Sequence, residues 1–260
     1  MSLIREWRSV VAPLATMAII LTLWEFLPAS GLVNELAFPR FSKVLAALLS
    51  FLNPSASAIE IPGGVTYQLS VTLYEIVVAF LLTVALGLTL GFAIGLFRFA
   101  RDTYEPLIYL AYAFPGVAIY PLIVVVAGFG TSSKIIFGIF LGFFPMVLGV
   151  ISALRSVKPS LITVARAFGA SRWQLFSKVV TPGAAPAIFT GIRIAMGLNI
   201  VGVLFAEMTG SQAGLGWMIS LATFQLEVPS QYAAVLLAVL VAGGITWSLR
   251  LVERRVSNYA

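Results

Sequence analysis

The 260-residue chain contains no cysteine and no histidine. Without thiols it has no disulfide, no thiolate metal site and no cysteine nucleophile; without imidazole it has no histidine base, proton relay or histidine metal ligand. Charge is scarce as well. Only 10% of the residues are Asp, Glu, Lys or Arg, while 60% are apolar. A soluble domain averages about 25% charged and about 45–50% apolar residues, so this chain cannot clothe a water-facing surface of ordinary size. It reads as an integral membrane protein in a lipid bilayer. At roughly 20 apolar residues per spanning helix, its length allows about five to seven spans and leaves no room for a separate soluble domain. A single transmembrane domain over residues 1–260 is expected. The net charge of +6 does not imply nucleic acid here, because in a membrane chain the placement of Lys and Arg matters more than their sum.

Charge-poor runs predict an all-α, polytopic fold of six transmembrane helices, over 9–24, 76–97 (starting near Leu69 and carrying Glu75), 106–133, 135–154, 186–208 and 228–249. Basic residues set the orientation. Arg5, Arg8, Arg98, Arg101, Arg155, Lys158, Arg166, Arg172, Lys178, Arg250, Arg254 and Arg255 fall on one side, against Arg40, Lys43 and Lys134 on the other, with Arg193 inside a span. The positive-inside rule makes the richer side cytoplasmic, so both termini are expected there; in a bacterium with two membranes the other side would be the periplasm. Arg5 and Arg8 ahead of an apolar stretch also permit a cleaved signal peptide, but the stretch exceeds the usual apolar core of about 7–15 residues. An uncleaved first span is the better reading. In the outer segment, Phe41, Val44, Leu45, Leu48 and Leu49 follow Pro39 at helical spacing and predict a short amphipathic helix on the membrane surface.

Inside the spans, Gly87, Gly91 and Gly95 stand four apart, the spacing that lets helix backbones approach closely. Packing within the subunit is favoured over a seam between subunits, and Gly138 and Gly142 read the same way. Pro115 and Pro121 are expected to kink the third span and Pro145 the fourth. Broken helices often line transport pathways, which makes Tyr112, Tyr120 and the lone amide Asn199 candidate lining residues. Arg193 and Glu207, fourteen residues apart, are separated by about 21 Å along a helix and cannot pair; Arg193 is expected to snorkel to the interface. Glu207 and the deeper Glu75 are further pathway candidates, because an intramembrane acid faces a cavity or a partner. Structural pairing is an equally open reading for Glu75.

Residues 154–185, between the fourth and fifth spans, hold five of the sixteen basic residues. A first short helix is predicted after Pro159, with Ser160 as N-cap, ending at Gly169 in the left-handed position that glycine favours. Ser171 and Gln174 have the spacing of a capping box, opening a second helix that runs to Pro182. The product is a helix–glycine–helix elbow with Phe168, Trp173 and Phe176 among Arg166, Arg172 and Lys178. From residue types alone two readings compete. The aromatic residues either pack on the protein's own helix ends or form a docking surface, for which aromatic residues beside arginine are a common composition.

Thr163-Val164-Ala165-Arg166-Ala167-Phe168-Gly169, nine residues, then Val179-Val180-Thr181-Pro182, resembles the EAA loop of the permease subunits of bacterial ATP-binding-cassette importers, whose pattern is E-A-A-x-x-x-G-x9-I-x-L-P. Ala165, Gly169 and Pro182 match. Thr163 replaces the usual Glu, Val164 the first Ala, Val179 the Ile and Thr181 the Leu. Thr131-Ser132-Ser133-Lys134, Gly191 to Gly197, Ala206-Glu207-Met208 and Gly214-Leu215-Gly216-Trp217 are similar to the nitrate, sulfonate, taurine and bicarbonate branch, and the resemblance covers about 66–255.

The resemblance implies a type I importer fold in which two permease copies pair, two ATPase subunits sit beneath, and a periplasmic binding protein delivers substrate, a small anion or organic solute. Coupling to the ATPase would fall to Thr163, Val164, Ala165, Arg166, Phe168, Gly169, Ser171, Arg172, Trp173, Phe176 and Pro182. ATP and Mg belong to the partner, and this chain is expected to hold no cofactor and no metal and to be no enzyme. A phosphate-binding P-loop needs G-x-x-x-x-G-K-[ST], and none of the four lysines follows a glycine. An ATP-independent secondary transporter is the alternative, against which stand the lack of histidines and of a visible internal repeat and the fewness of the acids. An intramembrane hydrolase is weaker still, with no histidine and no G-x-S-x-G.

Overall fold

The computed structural model describes residues 2–53 and 57–257. Among these the chain is all-α, in the order α1 (Ser2–Ala29), α2 (Phe41–Ser50), α3 (Gly64–Gly95), α4 (Arg98–Tyr112), α5 (Tyr120–Ala127), α6 (Thr131–Ser156), α7 (Pro159–Ala167), α8 (Arg172–Leu175), α9 (Thr181–Gly210), α10 (Leu215–Phe224) and α11 (Val228–Ser257). Five helical stretches are long and apolar enough to cross a membrane: Val11–Ala29, Gly64–Gly95, Thr131–Ser156, Arg172–Gly210 and Val228–Arg254. The third expected span is instead a broken pair. Arg98–Tyr112 and Gly116–Ala127 meet at 81°, and the break falls at Phe114-Pro115-Gly116, where Pro115 cannot continue a helix hydrogen-bond ladder. Pro121 does not kink anything: it stands in the first turn of α5, where its missing N–H would have had no partner. Pro145 lies inside α6, which runs on without interruption.

By contacts the chain divides into two units, residues 1–68 with 218–237, and 69–217 with 238–260. In the first, the amphipathic helix expected after Pro39 is α2. Glu25, near the end of α1, accepts hydrogen bonds from the backbone N–H (2.9 Å) and hydroxyl (2.8 Å) of Ser42, which stands in the first turn of α2. Trp24 donates its indole N–H to the Pro39 carbonyl (3.1 Å) and packs on Phe38, Phe41 and Tyr232.

The second unit is organised around α6 and α9. Close approach of their backbones is possible because glycines face each other: a Cβ on Gly202 would stand 2.9 Å from the Gly138 Cα, and one on Gly149 2.9 Å from the Gly191 Cα. α3 joins them through the glycines noted at four-residue spacing. Cβ atoms there would lie 2.3 Å from Met146 at Gly87, 2.6 Å from Val150 at Gly91 and 2.5 Å from Leu154 at Gly95. The glycine row on α3 is thus filled by the α6 side chains of the same chain.

Candidate functional site

The elbow at residues 154–185 is built by local rules. Pro159 opens α7 in its first turn, with Lys158 as N-cap; Ser160 is inside the helix and caps nothing, because Pro159 itself already satisfies the start. At the far end Gly169 has φ +74°. The Ala170 N–H donates to the Ala165 carbonyl and the Gly169 N–H to the Arg166 carbonyl, both at 3.0 Å, which is the Schellman pattern that a left-handed residue makes possible. The capping box forms: Gln174 N–H donates to Ser171 Oγ (3.2 Å) and Ser171 N–H to Gln174 Oε1 (2.8 Å). Thr163, in the place of the usual Glu, donates its hydroxyl to the Pro159 carbonyl (3.1 Å).

Pro182 was expected to end the second helix, and it does not. α8 passes through a π turn at Phe176–Val180 directly into α9. A proline ring crowds the carbonyl four residues back, and the wider i→i+5 turn ahead of it gives that carbonyl room. Arg172–Gly210 is consequently one helical rod of 39 residues, about 58 Å long at 1.5 Å per residue, against about 30 Å of hydrocarbon.

The elbow aromatics divide between the two readings left open by composition. Phe176 packs inward, its ring 5.6 Å from that of Phe92 on α3 and 5.8 Å from that of Trp173, while Ile162 and Val180 rest on the core cluster that includes Val157 and Ala184. Phe168 and Trp173 point away, 88% and 72% exposed, and Val164 is exposed beside them. Arg166, Arg172 and Lys178 are exposed and form no salt bridge among the described residues, in contrast to Arg155, which pairs with Glu105. The result is an anchored platform presenting two aromatic rings within a positive rim.

The membrane residues suspected of lining a pathway are mostly core residues. Glu75 is fully buried and paired with Lys134 Nζ at 2.8 Å. Lys134, assigned by its position to the exposed outer end of the fourth span, is buried with it, since neither charge tolerates hydrocarbon alone. Glu207, also buried, accepts from the Thr72 hydroxyl (2.7 Å) and from the Gly216 N–H (2.8 Å), and Thr72 in turn accepts from the Leu215 N–H (2.8 Å). These are the unpaired donors at the start of α10. Gly214 (φ +108°) and Gly216 are needed for this approach, because Cβ atoms there would lie 2.2 Å from Glu207 Oε1 and 2.3 Å from the Leu204 carbonyl oxygen. The Ala-Glu-Met and Gly-Leu-Gly-Trp segments are therefore two halves of one capping device.

Asn199 is fully buried and donates to the Gly138 carbonyl (2.7 Å) and to Thr83 Oγ1 (3.2 Å), tying α9 to α6 and α3. Tyr120 is buried and donates to the Ala206 carbonyl (3.0 Å). Arg193 does not simply snorkel; it pairs with Glu253 on α11 at 2.9 Å. Of the five pathway candidates only Tyr112, at the end of α4, is exposed. Sequence reasoning missed Thr72, Thr83 and Lys134 as partners, and a hydroxyl or amine on one helix carries no mark of which acid on another it will meet.

A crossing α6–α9 core with an elbow running into a spanning helix defines the class: residues 83–258 match the binding-protein-dependent transport system inner membrane component family, and the chain belongs to it. It is the membrane-embedded, multi-pass subunit of an ATP-driven importer, not itself an enzyme and binding no cofactor, with ATP hydrolysis on a separate subunit. That membership sets aside the secondary transporter. Among particular relatives, the chain is 30% identical to the taurine transport system permease protein of Escherichia coli (strain K12), over 97% of this chain and 90% of that one. It is 29% identical to a protein of Bacillus subtilis (strain 168) named for aliphatic sulfonates transport, over 93% and 85%. In fold it is similar to an inward-facing structure of the MetNI methionine ABC transporter, with a TM-score of 0.60 at 18% identity, covering 71% of this chain and 94% of that one.

Proposed function

We propose that two copies of this chain form the solute pathway of a bacterial inner-membrane importer, with Mg-ATP on two ATPase subunits docked at the elbows and a periplasmic binding protein presenting the solute on the opposite side. The names of the two sequence relatives favour a small organic sulfonate as substrate. Both termini lie on the elbow side, the cytoplasm. The outer basic residues are few and each meets an acid: Arg40 and Lys43 share Glu35, and Lys134 pairs with Glu75. On the elbow side Arg98 and Arg101 pair with Asp102 and Arg155 with Glu105, while Arg166, Arg172, Lys178, Arg250 and Arg254 form no salt bridge among the described residues.

The observation that carries the coupling role is the exposure of Phe168 and Trp173 on a platform whose own turns are fully hydrogen-bonded. The two rings fit an apolar groove on the ATPase, and Arg166, Arg172 and Lys178 fit an acidic rim around it. Since α8 continues into α9 with no loop between, displacement of the docked elbow is transmitted as rotation of the α9 rod. α9 is packed along α6, so closure of the ATPases re-angles the core helices and exchanges which side of the pathway is open. Tyr112, exposed beside the α4–α5 break, is the pathway-lining residue this reading retains.

The absence of cysteine makes the test clean. A single cysteine at Phe168, alkylated with a maleimide photo-crosslinker, should cross-link to the ATPase on illumination of the assembled complex, with a yield that changes on adding a non-hydrolysable ATP analogue. Trp173→Ala should lower solute-stimulated ATP hydrolysis and transport by tenfold or more while membrane insertion is unchanged. Uptake at the normal rate by Trp173→Ala together with Phe168→Ala would refute docking through the elbow.

A further inference from the structure

Most glycines in the membrane helices of this protein are filled by a neighbour, but a few are not, among them Gly197 on α9 and Gly243 on α11: nothing lies within 4 Å of where their Cβ would stand. Both line a groove of about 520 Å³ between the two helices. The groove is not a loosely packed seam, because the inner side of α11 closes against α9 through Ala242, Ile245 and Leu249 on Met196 and Ile200. It lies outside that contact and is floored by the two bare backbones.

Three features say what fills it. The walls are apolar, with Ile200, Val201 and Val239, and the hydroxyl of Thr246 is spent on the Ala242 carbonyl, so nothing along its length calls for a polar ligand. At one end stands Arg250, with Arg254 one turn further; Glu253, the nearby acid, is already held by Arg193 at 2.9 Å. Both arginines are exposed and form no salt bridge among the described residues. Trp247, 63% exposed beside Arg250, is the side chain that settles at the headgroup level. The length also fits. From Arg250 to Val239 is eleven residues, about 16 Å of helix, close to half of the roughly 30 Å hydrocarbon core, which is one leaflet.

We propose that this groove is a binding site for an anionic phospholipid, one acyl chain lying over Gly197 and Gly243 and the headgroup phosphate held by Arg250 and Arg254. Guanidinium groups match phosphate oxygens in charge and in fork geometry. A second copy of the chain is a poorer occupant. Pairing groove to groove about a twofold along the membrane normal brings equal depths together, so Arg250 and Arg254 would face their own counterparts.

The test is native mass spectrometry of the full-length permease equilibrated with equal amounts of dioleoylphosphatidylglycerol and dioleoylphosphatidylcholine. The wild type should retain the glycerol lipid preferentially. Arg250→Gln should cut that preference about fivefold with the choline lipid unaffected, and Gly243→Leu, which fills the groove, should lose both adducts. Arg98→Gln, at an exposed arginine that does not line the groove, should leave the ratio unchanged. Retention of the wild-type ratio by Arg250→Gln overturns the proposal, as does an equal loss in Arg98→Gln, which would make the effect one of general surface charge. Loss of self-association in Gly243→Leu with both lipids still bound assigns the groove to a second copy and overturns it too. The readout needs neither ATP nor transport, so it stands or fails apart from the coupling role of the elbow.

Discussion

Lys134→Met should be among the most destabilising single substitutions available in this protein, and its rescue should be equally informative. Lys134 Nζ lies 2.8 Å from Glu75 Oε1, and the two side chains are 5% and 0% exposed. The carboxyl of Glu207 lies beside Glu75 in the same pocket. Removing one partner of a buried pair costs about 3–5 kcal/mol, because the other charge is left buried and unpaired. Here Glu75 would be left buried without its ion-pair partner, a loss of about two to three and a half orders of magnitude in the folded population. Glu75→Gln should cost less, since the ammonium of Lys134 can turn to Glu207. Glu75→Leu combined with Lys134→Met replaces both charges by apolar volume and should return to within about 1 kcal/mol of the wild type or exceed it. Equilibrium unfolding of the purified permease in mixed micelles, scored by tryptophan fluorescence, measures all four proteins. A Lys134→Met protein as stable as the wild type, or a double variant no better than the worse single one, would refute the reasoning.

Gly91→Leu forces a side chain into Val150, where even a Cβ would lie 2.6 Å from the Val150 Cβ; overpacking of about 1–3 kcal/mol should appear as a lower melting temperature. Gly216→Ala should be comparably damaging, since the backbone oxygen of Leu204 at 2.3 Å cannot rotate away, and faster proteolysis near α10 would register it. Ser171→Ala removes the capping box at an exposed elbow and should cost about 1 kcal/mol locally, seen as faster proteolysis between Gly169 and Arg172 with the melting temperature of the core unchanged.

The elbow was legible because its rules are local. A Schellman glycine and a capping box depend on residues within six positions of one another, so Gly169, Ser171 and Gln174 could be placed from spacing alone. Pro182 was misjudged on the same grounds: proline normally stops a helix, and only the π turn at Phe176–Val180, held by Phe176 on Phe92, lets the chain run through it. The candidate pathway residues failed for a different reason. Glu75, Glu207, Asn199 and Tyr120 are polar groups in apolar runs, and the same observation fits a residue facing a cavity and one satisfied inside a bundle. Their partners, Lys134, Thr72, Gly138 and Ala206, are 59 to 135 positions away and on other helices.

By itself the sequence determined that this is a membrane protein without cysteine or histidine chemistry, where most of its helices lie, which stretches carry its basic residues and where its one large basic loop turns. Each of these follows from composition or from a period shorter than two helical turns. Only the tertiary structure decided what the few polar groups in the spans do, because in hydrocarbon each must find a partner and the choice depends on which helices cross. It also decided that α8 and α9 form a single rod, and that Gly197 and Gly243, unlike most of the membrane glycines, face open space rather than a neighbouring helix.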